Sequence, residues 1–503
     1  MAELIDIKAE REKLQKKALE DNKVVTERSI LDDIEAVPSK YPNREFAEEN
    51  DPDLRYMNTR YAFVHSIGGK PMIKAIVYNE YFKKDIVEFV APESLCMRYT
   101  NRLAEETRSN KNGGMSIGKW WLGHAHRRDY ETVTFEPDKA PGEYNVRDQY
   151  AKDGLKTYFN MWEGFGVDSK KGCWTKTCKH IYRILCNGNR TKFIYVMRWL
   201  GWAVQNPGNR AEVALIFKGK KGAGKGLILQ SMVKMFGRHG LVISNREHLT
   251  GKHNEHLATC SFLFADEAYH PGDKEVEGIL KNIITEPSLT TEPKFRGLKI
   301  GRNCLHIAMA TNADWIIPAT EDERRYFINE VDNRYAKGSC SDNDREEYFD
   351  AIWKELTDGG LSAMLYDLLH MQLGDWHPRK NVPETEEMRK QIEMSLPKLK
   401  YAFLTMLEEG VFPGEINGKG EYIISNTNLL EYFKQIDSAN KNITGKSLAN
   451  LCKSLGITFG RSGTGRYLIF PELGAIRETW SNQVNKNTEW RINEKWEVKP
   501  IGF

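Results

Sequence analysis

Four short apolar runs in the middle of the chain are each followed by a polar residue: Val213 to Phe217, Ser261 to Ala265, Cys304 to Ala310 and Tyr326 to Val331. They are rich in aliphatic and aromatic residues and do not alternate with polar ones, which is typical of parallel strands buried on both faces. Between the first two runs, apolar residues recur at helical spacing from Leu227 to Phe236. The pattern predicts an α/β fold with a parallel central sheet.

A glycine-rich loop joins the first apolar run to that helical stretch. Its sequence, Gly219-x-x-x-x-Gly224-Lys225, is that of a phosphate-binding loop, and strand–loop–helix is the context that such a loop requires. Glycines let backbone N–H groups turn towards phosphate oxygens, and the helix N-terminus adds positive potential. A glycine-rich turn with a chance lysine is the alternative. We expect ATP to bind at Gly219, Lys220, Lys221, Gly222, Ala223, Gly224, Lys225, Gly226 and Leu227.

The residue after the loop lysine departs from the usual pattern. A Ser or Thr is expected there because its hydroxyl binds Mg²⁺, whereas this chain has Gly226. Asp266, after the second apolar run, can hold Mg²⁺ through water because this ion keeps several of its waters. Its neighbour Glu267 is the candidate for polarising the attacking water. Alternatively, the two acids only begin a helix.

The third and fourth runs add an amide and two arginines. Asn312 follows the third run, and its amide could hold both a γ-phosphate oxygen and the catalytic water because it donates and accepts hydrogen bonds. Arg324 and Arg325 precede the fourth run, where we expect an arginine to reach the nucleotide of a neighbouring subunit. Such an arginine finger contributes on the order of 10³–10⁵ in rate. We expect one of the two to make only a structural ion pair.

These features, in this order, resemble those of the superfamily three helicases of viruses, phages and plasmids, a branch of the AAA+ ATPases. The segment TEPSLTTEPKFRGLKIGRNCLHIAMATNADWIIPATEDERRYF is especially similar to the helicase part of phage primase–helicases and primase–polymerases, and the similarity is specific over residues 150–335. By position, Lys294 matches the lysine of the family's DNA-contacting hairpin, Asn312 its sensor, and Arg324 and Arg325 its finger pair.

The resemblance implies an AAA+ core that uses ATP and Mg²⁺ and assembles as a homo-oligomeric ring, expected to be a hexamer. It also implies a DNA helicase that translocates on single-stranded DNA and acts at forked DNA in phage or mobile-element replication.

Basic residues are clustered, although the total charge is nearly balanced, with 73 Lys and Arg against 70 Asp and Glu. Residues 168–192 hold seven Lys or Arg and one Asp, and residues 438–471 hold five and no acid. Basic stretches with interleaved aromatics suit a sequence-independent grip on phosphates and stacked bases. Each alone is more often a solvated face. The stretch 294–302 contains Lys294, Arg296, Lys299 and Arg302 and no acid, and we expect the first three to contact DNA.

The remaining segments suggest several modules, as the length of 503 residues does. Short alternating runs after residue 58 predict a small α+β domain, in which at least one of Trp120 and Trp121 belongs to the core. Before residue 150 we find no carboxylate set suited to a primase or polymerase, so we expect a separate primase or polymerase as partner. The predicted division is 1–58 (charged helix and linker), 59–149 (α+β domain), 150–205 (helical lead-in), 206–335 (ATPase core), 336–415 (helical region), 416–475 (winged-helix-like domain) and 476–503 (tail).

The C-terminal pattern from about residue 421 is strand, helix, helix and hairpin. TNLLEYFKQI and KSLANLCKSLG predict the helices, and ITFGRSGTGRYLIF predicts a glycine-turned hairpin. This order suits a winged helix whose second helix presents Lys446 and Lys453 and whose wing presents Arg461 and Arg466. A small structural domain is the equal alternative.

Cysteines and hydropathy limit the cell compartment and the metal chemistry. Eight cysteines over this length are too sparse for a disulfide framework, which favours a reducing cytoplasm, namely that of the host cell if a phage encodes the chain. The loose cluster Cys173, Cys178, His180 and Cys186 has no compact zinc spacing. We see no signal peptide and no apolar run long enough to span a membrane.

Two other functions compete with the helicase. An ATP-switched DNA loader or origin-binding ATPase would hydrolyse ATP without sustained unwinding. A P-loop kinase would work as a monomer, and the arginine pair after Asn312 argues against it because it suggests a site shared between subunits.

Overall fold

We describe a computed structural model of the chain, which covers residues 44–80, 84–108, 113–150, 154–251, 254–268, 274–292, 299–320, 322–436, 444–462, 465–483, 490 and 495–499. The charged helix predicted over residues 2–22 lies outside these ranges, as do Lys294 and Arg296. The protein is a mixed α/β chain with several sheets.

The N-terminal part contains a four-stranded sheet in the order β3-β2-β1-β4 and a three-stranded sheet in the order β5-β7-β6. The predicted core position of the tryptophans is confirmed, because Trp120 and Trp121 are both buried. Asn58 fixes Trp121 by accepting a hydrogen bond from its indole N–H at 2.8 Å. The elements are α1 (Arg44–Asn50), α2 (Pro52–Arg60), β1 (Tyr61–Ile67), β2 (Lys70–Asn79), β3 (Lys84–Val90), α3 (Pro92–Arg98), α4 (Ile117–Gly123), β4 (Asp129–Tyr130), β5 (Val133–Thr134), β6 (Gly142–Arg147) and β7 (Leu155–Asn160).

A helical segment connects this part to the central sheet. Helix α5 (Thr175–His180) continues into a π-helical turn, Ile181–Leu185, and α6 (Arg190–Gln205) follows. Asn189 caps α6 by accepting a hydrogen bond from the Lys192 backbone N–H. One face of α6 carries Trp199, whose indole N–H donates to the carbonyl oxygen of Val213 at 3.0 Å. This contact fixes α6 against the start of the central sheet.

The central sheet has five parallel strands in the order β14-β8-β13-β10-β9. The four predicted strands are confirmed with boundaries shifted by one or two residues, because an apolar run marks burial more sharply than it marks the hydrogen-bonded ends. The strands and their helices are β8 (Ala214–Lys218), α7 (Lys225–Phe236), β9 (Gly240–Ile243), α8 (Arg246–Thr250), β10 (Phe262–Asp266), α9 (Lys274–Thr285), β13 (His306–Thr311) and β14 (Tyr326–Glu330).

Each face of this sheet has its own hydrophobic core. Alternate residues of β8 point to opposite faces, so Leu215 and Phe217 pack with α6 and α7, whereas Ala214 and Ile216 pack with α9. A two-stranded hairpin, β11 (Ser288–Thr291) and β12 (Lys299–Arg302), lies between α9 and β13 along the chain. The sheet is therefore the middle layer of three.

Three helices follow the last strand of the central sheet. Helix α10 (Asp342–Glu355) and α11 (Leu361–Leu369) add to the core that contains α7, and a kink with non-helical backbone at Asp358 and Gly359 separates them. Helix α12 (Glu386–Met394) packs on the opposite face, where its Met388 and Ile392 join the core with α9.

The C-terminal unit is built around a separate hydrophobic core with Phe403, Phe412, Trp480 and Trp496. Its four-stranded sheet has the order β16-β17-β19-β18, and β15 pairs with β20. The predicted order of strand, helix, helix and hairpin is confirmed within this unit. The elements are α13 (Lys398–Glu409), β15 (Val411–Phe412), β16 (Glu415–Ile416), β17 (Tyr422–Ile424), α14 (Asn426–Ile436), α15 (Gly445–Ser454), β18 (Thr458–Ser462), β19 (Gly465–Phe470), α16 (Leu473–Gln483) and β20 (Glu497–Val498).

Among the helices of the described ranges, none combines the length and the apolar character that crossing a bilayer requires.

Candidate functional site

The carboxyl ends of β8, β10 and β13 meet at one edge of the central sheet because the three strands are parallel neighbours. Residues Gly219–Gly224, here called the glycine loop, follow β8 at this edge. The backbone N–H of Gly219 donates to the carbonyl oxygen of Thr311 at 3.1 Å, which joins the loop to the end of β13. Ligands of open α/β sheets bind at this edge.

The glycine loop has the backbone geometry of an anion cradle. Gly222 and Gly224 have φ values of 82° and 88°, which are costly for residues with a Cβ atom. A Cβ atom on Gly219 would lie 2.5 Å from a methyl group of Val331. The backbone N–H groups of Gly222, Gly224, Lys225 and Gly226 donate to no other residue that the structure describes. Inward N–H groups at a helix N-terminus suit a phosphate group.

The Lys225 side chain lies inside the glycine loop. It is 7% exposed, and its ammonium group donates to the carbonyl oxygens of Gly219 and Lys220. Burial lowers the pKa of Lys225, and the nearby charges of Glu267 and Asp266 oppose that shift. The ammonium is therefore bound to the carbonyl oxygens of the loop and lies within the electrostatic influence of the carboxylates at the end of β10.

Asp266 and Glu267 end β10 in different environments. Asp266 is half-buried, and desolvation followed by repulsion from Glu267 raises its pKa, against the attraction of Lys225. Glu267 is exposed and has a φ of 53°, a left-handed conformation that is strained for a side chain of this kind. Its backbone N–H donates to the carbonyl oxygen of Ala310 at 3.0 Å, so the strand ladder holds it in this conformation. The expected alternative, a helix beginning at these acids, is not found in the described residues, since α9 starts at Lys274.

The surroundings of Gly226 would accept a larger residue. A Cβ atom there would be 3.7 Å from the ring of Phe264 and 3.8 Å from the amide of Gln230, which are ordinary contacts. Steric crowding therefore does not explain why Ser or Thr is absent. The carboxylate oxygens of Asp266 and Glu267 at this edge are of the kind that Mg²⁺ prefers, and Asp266 as the Mg²⁺ ligand stays a prediction.

Asn312 follows β13, is exposed and makes no side-chain hydrogen bond with any described residue. The loop after it is held by α12. Gln391, which is fully buried, accepts hydrogen bonds from the backbone N–H groups of Ile316 and Ile317 and donates to the carbonyl oxygen of Asp314 at 2.8 Å. Helix α12 therefore fixes the backbone next to Asn312.

An ion-pair cluster strengthens the same junction. The ammonium of Lys218, the last residue of β8, lies 3.1 Å from the carboxylate of Glu387 on α12 and 3.2 Å from that of Asp314. Glu387 is 3% exposed and also pairs with Lys390 at 2.7 Å. Desolvation acts to raise the pKa of Glu387, but the hydrogen bonds from Lys390 and Lys218 outweigh it and lower the pKa. Lys218 thus links the end of β8 to α12 through the buried Glu387 and to the loop after Asn312 through Asp314.

Side chains from distant segments contact the glycine loop, and His180 and Phe349 form a wall against Gly224. His180 on α5 lies with its Nε2 3.2 Å from the carbonyl oxygen of Gly224, and its Nδ1 is 3.0 Å from the Tyr348 hydroxyl. A Cβ atom on Gly224 would lie 2.6 Å from the His180 ring and 2.7 Å from that of Phe349. On the outer side of the loop, Asn333 accepts a hydrogen bond from the Lys220 backbone N–H at 2.8 Å.

The two arginines lie at the opposite edge of the sheet from the glycine loop. They precede β14, whose first residue pairs with Ala214 at the start of β8, whereas Lys225 follows the end of β8. Arg325 forms the ion pair expected of one of the two, with Glu323 at 3.2 Å. Arg324 is exposed and makes no ion pair or hydrogen bond with a described residue.

The hairpin β11–β12 carries part of the basic stretch. Lys294 and Arg296, which fall between the two strands in sequence, lie outside the described residues, and Lys299 begins β12 opposite Thr291. Arg302 is paired with acids, although its own stretch of sequence contains none. Its guanidinium lies 2.9 Å from Asp138 and 3.2 Å from Glu136, two acids of the N-terminal part that are near it in space but not in sequence.

Metal ligands outside the sheet edge form one cluster in the described ranges: Asp51, Glu106 and His124. Asp51 caps α2, and Glu106 accepts a hydrogen bond from the Trp120 indole. The Nδ1 of His124 accepts a hydrogen bond from the His126 backbone N–H, so Nε2 carries the proton of the neutral ring. This arrangement suits hydrogen bonding better than metal binding. In the cysteine cluster, His180 faces the glycine loop and Cys186 is buried.

Sequence reasoning missed His180, Asn333 and Gln391. In the sequence, His180 stands out only as part of a cysteine cluster, and nothing local indicates that it contacts Gly224. Gln391 had one available signal, an amide among the apolar positions of an amphipathic helix, which often marks a buried hydrogen-bonding role.

Comparison with known proteins shows a shared fold and a match of one segment to a family of unknown function. Residues 217–325, from the end of β8 to Arg325, match a family described as a family of unknown function, DUF5906. No curated protein sequence matches the chain. The apo structure of NrS-1 C terminal region (305-718) is similar, with a TM-score of 0.56, 17% identity, and coverage of 82% of this chain and 95% of that one. The A form apo structure of NrS-1 C terminal region-CTR gives a TM-score of 0.55 at the same identity and coverage. These likenesses show a shared fold.

Proposed function

We propose that the chain is an ATP-hydrolysing DNA helicase that works as a ring, with each nucleotide site at an interface between two subunits. Its sheet would be an AAA+ core, and its setting phage or mobile-element replication. The resemblance of the sequence to superfamily three helicases motivates the proposal, and the arrangement of residues around the central sheet supports it.

The sheet edge has the chemistry to bind a nucleotide triphosphate. The free N–H groups of the glycine loop and the Lys225 ammonium would hold the β- and γ-phosphates. Asp266 would hold Mg²⁺, which neutralises charge on the phosphates during transfer. Glu267 would orient the attacking water, and Asn312 would contact both that water and the γ-phosphate.

Arg324 is the residue that makes the proposed site intersubunit. It lies at the far end of β8 from Lys225, and a five-residue strand spans about 16 Å, so its side chain does not reach its own glycine loop. Arg325 is paired with Glu323, which leaves Arg324 as the finger. The exposed arginine at the edge opposite the loop is the observation that carries the proposal.

Mixing inactive variants tests the shared site. Lys225→Ala and Arg324→Ala proteins should each lack ATPase activity, because one loses the phosphate contact and the other the charge donated to its neighbour. Mixed rings contain interfaces with an intact Lys225 on one side and an intact Arg324 on the other, so mixing should restore part of the activity. The measurement is ATPase rate against mixing ratio, with the assembled mass determined in parallel.

Arg325→Ala is the matched control, because it removes an equal charge from the neighbouring position. Without Arg325, Glu323 loses its ion-pair partner, so the variant should be less stable but should retain its ATPase activity. Absence of rescue in rings shown to be mixed would favour a site closed within one chain, as would a monomeric mass with ATP and single-stranded DNA.

A strand-displacement assay separates the helicase from an ATP-switched loader. Lys294→Ala should keep basal ATPase activity and lose both DNA stimulation and unwinding, because the proposed hairpin contact is to phosphates and not to nucleotide. Lys354→Ala, an exposed lysine on α10, is the control. ATP hydrolysis by the wild-type protein without any strand displacement would favour the loader.

A further inference from the structure

Helix α15 in the C-terminal unit has one basic, exposed face. Lys446, Asn450 and Lys453 are all exposed and recur at positions i, i+4 and i+7, which lie on one side of a helix. The opposite side buries Leu448 and Cys452 in the C-terminal core. Helix α15 is thus fixed to the unit by its apolar face and presents only polar and basic groups outward.

The start of α15 is held in place by two sets of hydrogen bonds. Thr444 and Ser447 form a capping box, in which each side chain satisfies a backbone N–H of the other. Asn426, at the start of α14, donates to the carbonyl oxygen of Gly445 at 3.1 Å. The basic face therefore has a defined orientation relative to α14.

The hairpin after α15 places two arginines directly opposite each other. Arg461 on β18 pairs with Arg466 on β19, and both are exposed. Like charges at directly opposed positions destabilise a strand pair. By strand alternation, Arg466 lies on the same face of the hairpin as Leu468, which is buried in the core shared with α15. The arginines therefore leave the hairpin on the side that carries the helices.

These cations have no partner in the part of the chain that the structure describes. Lys446, Lys453, Arg461 and Arg466 form no ion pair or hydrogen bond with another residue of the described ranges. The sequence contains no Asp or Glu from residue 438 to 471. An ordinary solvated face usually carries both signs of charge. This face carries four cations, two of them directly opposite each other, which suits a surface that a polyanion neutralises.

We propose that the C-terminal unit binds double-stranded DNA as a winged helix, with α15 in the major groove and Arg461 and Arg466 on the adjacent backbone. The major groove of B-DNA admits a helix, whereas the deep, narrow major groove of duplex RNA does not. The lysines would contact phosphates, and Asn450 between them has the amide that pairs with the edge of adenine. This site is separate from the proposed motor, which would grip a single strand.

Binding of the full chain to a short blunt DNA duplex tests this proposal, measured by fluorescence anisotropy without nucleotide over a range of salt. The variant Lys446→Ala/Lys453→Ala/Arg461→Ala/Arg466→Ala should bind the duplex about tenfold or more weakly. Its slope of log K against log salt should become shallower by about 0.9 for each phosphate that the variant no longer neutralises. Binding to a single strand of equal length should change much less, and ATPase activity should be retained.

The double variant Lys446→Ala/Lys453→Ala should also bind the duplex more weakly than the wild type, and Lys419→Ala/Lys495→Ala, at two exposed lysines of the same unit, is its matched control. The control should bind duplex DNA as the wild type does. Unchanged affinity and salt slope in the fourfold variant would overturn the proposal. An equal loss of affinity for the single strand would also overturn it. So would wild-type protein that binds an RNA duplex as tightly as a DNA duplex. Either result would indicate a face that binds phosphates in general and does not dock into a groove.

Discussion

The Nε2 atom of His180 lies 3.2 Å from the carbonyl oxygen of Gly224, the residue at which the glycine loop turns into α7. A carbonyl oxygen only accepts, so Nε2 must carry the proton, and Nδ1 accepts from the Tyr348 hydroxyl. The neutral ring fits this position. Burial lowers the pKa of His180 to about 4, against the stabilising hydrogen bond to Gly224.

Acid should therefore destabilise the fold around the glycine loop. The pKa of His180 is 6.5 when unfolded and about 4 when folded, so the unfolded chain binds more protons between these values. The free energy of unfolding should fall as the pH drops from 6.5 towards 4, by at most about 3 kcal/mol for this residue. His306, also buried with a pKa of about 4, adds to the same trend.

Urea unfolding of wild type and His180→Gln at pH 7 and pH 5 measures this effect. Glutamine can donate to Gly224 and accept from Tyr348 but does not titrate, so the variant should lose less stability in acid. His370→Gln, at an exposed histidine, should keep the wild-type pH dependence. Equal pH dependence in His180→Gln and wild type would contradict the assignment.

Gly226 and Gly224 should respond oppositely to serine. At Gly226 the space around a Cβ atom is sufficient, so Gly226→Ser should fold normally and place a hydroxyl beside the loop lysine. Because a hydroxyl there binds Mg²⁺ in related loops, ATPase activity should reach half of its maximum at a lower Mg²⁺ concentration. An unchanged Mg²⁺ titration would argue against the proposed metal position.

Gly224→Ser is the counterpart to that experiment. Its φ of 88° and the 2.6 Å approach of the His180 ring leave no place for a Cβ atom. We expect a lower melting temperature and loss of nucleotide binding. Wild-type stability in Gly224→Ser would show that the wall of His180 and Phe349 moves freely.

The sequence was sufficient to predict the strands, the loop and the residues at the sheet edge. Strands buried on both faces appear as apolar runs, and a tight loop appears as a glycine-rich segment, so both leave local sequence patterns. It was not sufficient for Arg302. Its own segment contains no acid, yet the carboxylate of Asp138, 164 residues earlier, accepts a hydrogen bond from its guanidinium. Charge counted along the chain does not include charge brought in by folding.

The same limit applies to the residues that support the edge. The contact between His180 and Gly224 joins positions 44 apart, and Gln391 acts on a backbone 75 residues earlier. The strained φ of Glu267 also has no sequence signature, because it results from the bond between its N–H and Ala310. Such features follow from tertiary packing.

The strain at Glu267 leads to a trade-off between stability and activity. Glu267→Gly should raise the melting temperature, because glycine adopts a φ of 53° without the cost of about 1 kcal/mol that a side chain incurs there. It should also abolish ATP turnover while ATP binding is kept. Differential scanning fluorimetry and a single-turnover ATPase assay measure the two effects.

Glu267→Gln separates charge from strain. It retains the side chain and the strained backbone, so its stability should stay near that of wild type while turnover is lost for want of a carboxylate to orient water. Hydrolysis at the wild-type rate in Glu267→Gln would show that another group orients the water.

The last prediction concerns Gln391 as a positioning residue for Asn312. Gln391→Leu keeps the volume but leaves the buried N–H groups of Ile316 and Ile317 without an acceptor, at about 1–3 kcal/mol each. The loop after Asn312 should then lose its fixed position, so kcat should fall while the affinity for ATP, which depends on the glycine loop, changes little. Gln391→Glu keeps an acceptor for the two N–H groups, and its protonated form, which burial favours, also keeps a donor towards Asp314, so it should recover part of kcat. A purely structural role would lower kcat and ATP binding together in proportion to unfolding, and Gln391→Glu would then follow the melting temperature instead of the hydrogen bonds.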